Sequence, residues 1–335
     1  MWLAREFSAG RRLCVWAPGA PDHAHHVAVE FVHPVVAGTR PLAASVAPSE
    51  AVAAVSGDAA LVIGQPGDSA DGGVAGDLFI SGDQPDIAIV RSYHVLWELV
   101  QVALEHPGLV GSAAAAGGDS TGFLYPFLDA AEDDEASLRQ SLRASAVAKV
   151  QESERLVQES LESNRAALTQ AATAVGHAVG AGGRVLTMGN GGSATDAARL
   201  ARLLRAQDLP SESLSADYAV ATALANDLGA ARIFSRQLDA FARSGDVLVG
   251  CSTSGASRNL LAAFDHAAGM GLTTVGLSGY GGGSFKGQES VHHNLVVQSM
   301  SVHRIQEAQA ALMSVLCERV SAAPTAADTA SEAAR

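Results

Sequence analysis

Arg184–Leu204 reads RVLTMGNGGSATDAARLARLL. The apolar run Val185–Met188 predicts a buried strand. Gly189-Asn190-Gly191-Gly192-Ser193 follows at once, and then a helical pattern with Ala197, Leu200, Ala201 and Leu204 on one side. That is strand, glycine-rich turn and helix start. Glycines let the backbone approach a ligand closely, and a helix N-terminus has N–H donors without intrahelical partners. Those donors and the helix dipole suit a phosphate or another anion. Ser193 adds a hydroxyl, as N-cap or as a ligand contact. A tight βα turn with no ligand is the alternative.

Gly245–Ser257 reads GDVLVGCSTSGAS. Asp246–Cys251 predicts a second buried strand, then Ser252-Thr253-Ser254-Gly255-Ala256-Ser257, then a helix to about Met270. Two hydroxyl-rich loops at the carboxyl ends of parallel strands face one crevice, where open α/β sheets bind ligands. Neither loop is a Walker A sequence, since no GK[ST] follows, and neither is GxGxxG.

GNGGSATDA, the triplet Ala225–Asp227, GDVLVGCSTSGAS, and RIQEAQ at Arg304–Gln309 resemble, in order and spacing, the phosphoheptose isomerases. These are sugar-isomerase (SIS) domain proteins, and the family also includes a non-catalytic replication-initiator-associating protein. The resemblance covers about Ser137 to Val320. It implies a flavodoxin-like sheet and a sugar-phosphate pocket made by Asn190, Gly191, Gly192, Ser193, Asn226, Asp227, Ser252, Thr253, Ser254, Ser257 and Gln306. In that family the leading helices join subunits, so a homo-oligomer built through residues 136–180 is expected. Packing within one chain is the alternative.

The chain has 335 residues, 48% hydrophobic and 17% charged, with a formal charge of −13. That length suggests two domains with a large core. The charge argues against a nucleic-acid groove or an anionic membrane surface. It does not forbid an anionic guest, because a nest of N–H groups acts locally. Cys14, Cys251 and Cys317 are scattered and imply neither a disulfide framework nor a CxxC metal site. The N-terminus has no signal-like apolar region, and no stretch reads as long enough to span a bilayer, so a cytoplasmic protein is expected.

The N-terminal part reads as a shortened copy of the C-terminal part. Leu13–Trp16, a turn, and a helix from Asp22 to His33 parallel 184–204. LAASVAP at 42–48 parallels a strand near Glu212–Ser215. GDAALVIGQPGDS at 57–69 parallels 245–257, opening on the same Gly-Asp, and the helix 85–105 parallels 302–320. The copy reads as lacking the insert around Asn226-Asp227, the STSG hydroxyls and a clear fourth strand. Generic α/β alternation is the alternative. The expected fold is thus α/β: two flavodoxin-like SIS-type three-layer sandwiches, the first shortened, joined by a long helical segment. Its parts are a degenerate domain at 1–110, a linker at 111–135, a SIS domain with leading helices at 136–320, and a disordered tail at 321–335.

Aldose–ketose isomerisation needs a base and an acid with pKa values near the working pH. The resemblance puts a histidine and a glutamate four residues apart on the helix after GNGGS, and a further histidine near the chain end. Those positions hold Arg199, Leu203 and Ser314. Leu203 cannot move a proton and Arg199 stays charged. Of that acid/base and metal set only Gln306 remains. Arg199 is left as a cation for a phosphate or as an exposed ion pair.

A His–Glu pair occurs instead in HAHHVAVEFV at His23–Val32, where His26 and Glu30 are four apart. His94 and Glu98 repeat that spacing. Asp22, His26, Glu30 and His33 fall near one helical face, a geometry that can hold a divalent metal such as zinc. An ordinary solvated face is the alternative. One expectation is that the C-terminal copy holds the sugar phosphate while His26 and Glu30 act as catalytic groups across a pseudo-twofold interface, with His26, Glu30 and Gln306 as metal ligands. The other is a catalytically inactive sugar-phosphate sensor or assembly partner.

Overall fold

The computed structural model describes residues 1–33, 41–47, 58–64, 78–105 and 135–322. The expected linker, the loops at 65–76 and nearly all of the tail lie outside the described residues. The chain divides into two compact units, Met1–Glu154 and Arg155–Arg335.

The second unit is built on five parallel strands: β5 (Val185–Gly189), β6 (Ser211–Ser213), β7 (Val247–Cys251), β8 (Thr273–Ser278) and β9 (His293–Val296). Their order is β6-β5-β7-β8-β9, the flavodoxin-like winding. Side chains alternate across the sheet. Val185, Val247, Val249 and Cys251 point to one face, and meet helices α5 (Arg165–Gly180), α6 (Gly192–Arg205) and α10 (Val302–Ser321). Leu186, Met188 and Leu248 point to the other, and meet α8 (Ile233–Phe241) and α9 (Arg258–Gly269). Both faces are covered, so the central strands are apolar at nearly every position.

The first unit has four parallel strands: β1 (Leu13–Trp16), β2 (Ala44–Val46), β3 (Ala59–Gly64) and β4 (Leu78–Ser81). Their order, β2-β1-β3-β4, repeats the winding of the second unit less its last strand. The comparison of the two halves showed no clear fourth strand, yet the run Asp77–Ile80 reads as a strand in the sequence and β4 occupies it from Leu78. Helices α2 (Pro21–Val32) and α3 (Asp86–Glu105) fall where the sequence puts them, and α1 (Trp2–Ser8) is an addition. Asp58 and Asp246 make the same contacts. Arg12 donates its backbone N–H to Asp58 Oδ1 at 3.0 Å, and Arg184 donates its own to Asp246 Oδ1 at 3.0 Å. The Ala59 N–H then bonds to the Arg12 carbonyl, and the Val247 N–H to that of Arg184, both at 2.9 Å.

Helix α3 also corrects the expectation that no stretch is long enough to span a bilayer. Asp86–Leu104 passes by length and composition. Its His94, Glu98 and Gln101 are buried. Glu98 pairs with Lys149 at 3.0 Å, and Arg91 bonds to Ser153 at 3.0 Å. Lys149 and Ser153 lie on α4 (Glu135–Ser163), so most of that helix counts with the first unit.

The helical pattern expected over 136–179 is broken at Asn164, between α4 and α5. Its side-chain amide donates to the Ser160 and Val296 carbonyls, each at 2.8 Å, and its Oδ1 accepts from the Val296 N–H at 2.7 Å. One side chain thus satisfies both backbone groups of an edge-strand residue. Asn164→Ala leaves those groups without protein partners and is expected to cost about 2 kcal/mol. Urea unfolding of the full chain measures this; a change under about 0.5 kcal/mol, the level of an ordinary surface substitution, sinks the assignment.

Candidate functional site

Strands β5 and β7 are neighbours, with Gly189 in register with Cys251, so the turns that follow them leave the sheet side by side. They open on the same edge, at the point where the strand order reverses. Gly191 takes φ +55, a conformation that favours glycine, and starts α6 without a side-chain cap. Ser257 is the N-cap residue of α9, yet its hydroxyl makes no cap bond. Two helix N-termini thus converge on this edge with capping capacity to spare, which suits an anion.

The second loop is held in shape from within. The Gly255 N–H donates to the buried Ser252 Oγ at 3.0 Å, and the Ala256 N–H to the exposed Ser254 Oγ at 3.2 Å. Gln309, fully buried on α10, donates its amide to the Ser252 carbonyl at 3.1 Å. The glycine turn at 279–283 presses on the same loop: a Cβ on Gly283 would sit 2.1 Å from the Ser254 carbonyl oxygen. Across the gap, Asn190 and Asn259 exchange two amide hydrogen bonds of 2.9 Å each.

Of the expected binding residues, Asn190, Gly191, Gly192, Ser193, Ser252, Thr253, Ser254 and Ser257 share this edge. Gln306 lies on α10, buried, with its amide donating to Asp196 Oδ2 at 3.1 Å. Asn226 and Asp227 sit exposed near the end of α7 (Tyr218–Leu228) and bond to each other at 2.7 Å. Among the described residues no hydrogen bond ties them to either loop.

Arg199 is neither a free cation nor an exposed pair, as the sequence left it. It is 1% exposed and bonds to Asp196 Oδ1 at 2.7 Å, with Met313 Sδ at 3.9 Å. Asp196 is fully buried and takes Arg199 on one oxygen and Gln306 on the other. Nearby, burial and the Asp196 carboxylate hold the Cys251 thiol far above its ordinary range, which leaves it a poor nucleophile. Asp196, Asn259 and Gln309 were missed in the sequence. Only a first-turn position in α9 marks one of them, Asn259, there.

In the first unit, His26 and Glu30 are 1% and 3% exposed and lie 3.6 Å apart, Nε2 to Oε1. His26 Nε2 also faces His94 Nε2 at 3.4 Å, so these are interior groups rather than a solvated face. His33 is exposed while His26 and Glu30 are buried, so the four residues of that helical face do not converge. Among the described residues no group of three or more His, Cys, Asp or Glu is arranged to hold a metal ion. Gln306 belongs to the other unit, with its amide on Asp196, and Arg199 and Leu203 offer no lone pair for a metal. Of the zinc set read from the sequence, His26 and Glu30 lie together in the first unit and Gln306 lies in the second.

A family model described as "SIS domain" matches residues 150–279. A phosphoheptose isomerase of Campylobacter concisus is 44% identical over 145 residues, which cover 42% of this chain and 76% of the relative. The solved phosphoheptose isomerase of Neisseria gonorrhoeae superposes with a TM-score of 0.52 at 33% identity, covering 54% of this chain and all of that one. The C-terminal domain of a glucosamine-fructose-6-phosphate aminotransferase from Francisella tularensis superposes with a TM-score of 0.58 over 95% of this chain and 86% of its own, at 12% identity, a likeness of fold alone. With the sheet winding and the paired loops, these matches show that the chain belongs to the SIS-domain family, among the relatives of the phosphoheptose isomerases.

Proposed function

We propose that the chain binds a phosphorylated sugar at the carboxyl edge of its five-stranded sheet. The phosphate sits on residues 252–257, and the polyol reaches toward 189–193. The observation that carries this is the convergence of two helix N-termini and two hydroxyl-bearing loops across neighbouring strands. Hydroxyls and N–H groups hold a phosphate without a cation, consistent with the burial of Arg199 away from solvent. The relatives' name, phosphoheptose isomerase, points to a heptose phosphate, and sedoheptulose 7-phosphate is the first to try. In the same reading the first unit is a shortened copy of the second, supported by the repeated winding and the repeated Arg–Asp opening.

If the chain turns over substrate, His26 and Glu30 are the residues to test for proton transfer, because Leu203 cannot move a proton and Arg199 stays charged. A second reading, a sugar-phosphate sensor or assembly partner without turnover, is favoured by one observation. The Asp196–Arg199–Gln306 cluster fills the family's acid/base position with a closed ion pair.

The test measures binding by calorimetry and turnover by a coupled isomerase assay. Ser254→Ala is expected to weaken sedoheptulose 7-phosphate about tenfold, the scale of one lost hydroxyl contact to a charged group. No binding by the wild-type chain to any sugar phosphate overturns the proposal. Turnover that Glu30→Gln abolishes while binding persists supports the isomerase. Binding with no wild-type turnover supports the sensor.

A further inference from the structure

We infer that Asn259 is a positioning residue that sets the separation of the two loops, and so the length of sugar phosphate the site takes. The inference rests on the sugar-phosphate reading of this edge. Nothing in the sequence resemblance points to Asn259; the geometry does.

Asn190 and Asn259 are 69 residues apart in the chain, and each donates to the other's amide oxygen at 2.9 Å. A reciprocal amide pair fixes both amides at once, since flipping one alone puts N–H against N–H and O against O. Asn259 is itself held, because it lies in the first turn of α9 and its Oδ1 also accepts the Leu260 N–H at 3.1 Å. That helix begins at Ser257, the last hydroxyl of the second loop. The clasp therefore ties the tip of the glycine turn to the base of the phosphate loop.

Other ties hold each loop separately. Ser215 Oγ bonds both backbone groups of Gly189, at 3.0 and 2.9 Å, and Gln309 holds Ser252. Among the described residues, the Asn190–Asn259 pair is the hydrogen bond that joins residues 189–193 to the segment 252–259. A guest that places its phosphate on residues 252–257 and its hydroxyls on 189–193 feels this spacing. A bare phosphate, which needs only the second loop, does not. The clasp uses one hydrogen and one lone pair of the Asn190 amide, so the other hydrogen and lone pair remain for a sugar hydroxyl.

The experiment compares sedoheptulose 7-phosphate with inorganic phosphate on the full chain, for wild type, Asn259→Ala and Asn259→Leu. Asn259→Leu keeps the volume and stays neutral but loses both bonds to Asn190, so it guards against a packing defect in the alanine variant; thermal melting reports folding. The expected result is a loss of about tenfold for the sugar phosphate in both variants, with inorganic phosphate within about twofold of wild type. Equal losses for both ligands, or no loss for either, overturn the inference while wild-type binding keeps the parent reading. Wild type that binds inorganic phosphate but not the sugar phosphate brings down the parent reading and this inference together.

Discussion

Arg199→Met is expected to destabilise the protein by about 3–5 kcal/mol, the scale seen when one member of a buried ion pair is removed. The reason lies in Asp196. That carboxylate is fully buried and has Arg199 on one oxygen at 2.7 Å and Gln306 on the other at 3.1 Å. Methionine fills the volume of the arginine stem but leaves the carboxylate without its cation. Asp196→Leu combined with Arg199→Met removes both charges, and the stability should return most of the way to wild type, because apolar replacement of a whole buried pair is often near neutral. Urea unfolding of the two singles and the double measures the coupling. A single variant within about 1 kcal/mol of wild type, or a double no better than the singles, is incompatible with a closed pair.

The same pair explains how this chain differs from what its family resemblance implies. A position expected to move protons instead holds a permanently charged guanidinium, locked by a partner one helical turn away. The Asp196–Arg199 pair is buried in the second unit, and the loops after β5 and β7 retain their hydroxyls.

The second large effect is at Gly189. A Cβ there would lie 2.1 Å from the Ser193 carbonyl oxygen and 2.5 Å from its carbon, both backbone atoms that cannot rotate away. Gly189→Ala must therefore push the start of α6 off the end of β5. A displacement of about 1 Å in a positioned group costs on the order of a hundredfold in the step that depends on it. Sugar-phosphate affinity is expected to fall by about that factor, with a loss of about 1–3 kcal/mol in stability from overpacking. Calorimetry against sedoheptulose 7-phosphate, with a thermal melt on the same sample, separates the two losses. Wild-type affinity in this variant means the turn is not part of the site. By contrast, Gly191 has open space around its Cβ position, and its cost is conformational, through φ +55.

Much of this was legible in the chain itself. Apolar runs that end in Gly-Asn-Gly-Gly-Ser and in Ser-Thr-Ser-Gly, each followed by a helical period, predict two parallel strands with their loops on one edge, and β5 and β7 are those strands. Gly-Asp recurs before Ala59 and Val247, and Asp58 and Asp246 make the same bond to the arginine that opens the neighbouring strand. These are local features. Period and punctuation report which side of an element is buried and where it stops.

What local pattern cannot report is which partner a buried group meets. Asn164 reads as one more polar position in a long helix, yet it ends α4 because an edge strand 132 residues away offers its backbone groups. His26 and Glu30 read as catalytic or metal-binding groups, with a solvated i,i+4 pair as the alternative; they are interior, facing His94 from another helix. Arg199 was left between a ligand contact and a surface pair, and only the crossing of α10 over α6 brings Gln306 to the same carboxylate. Asn190 and Asn259 drew no attention together, because 69 residues separate them. The sequence by itself determined the succession of strand, loop and helix in the second unit and which loops follow its central strands, since these follow from burial and turn chemistry along the chain. The tertiary structure alone decided which charges are closed into pairs and which amides meet, since such contacts depend on how distant elements cross.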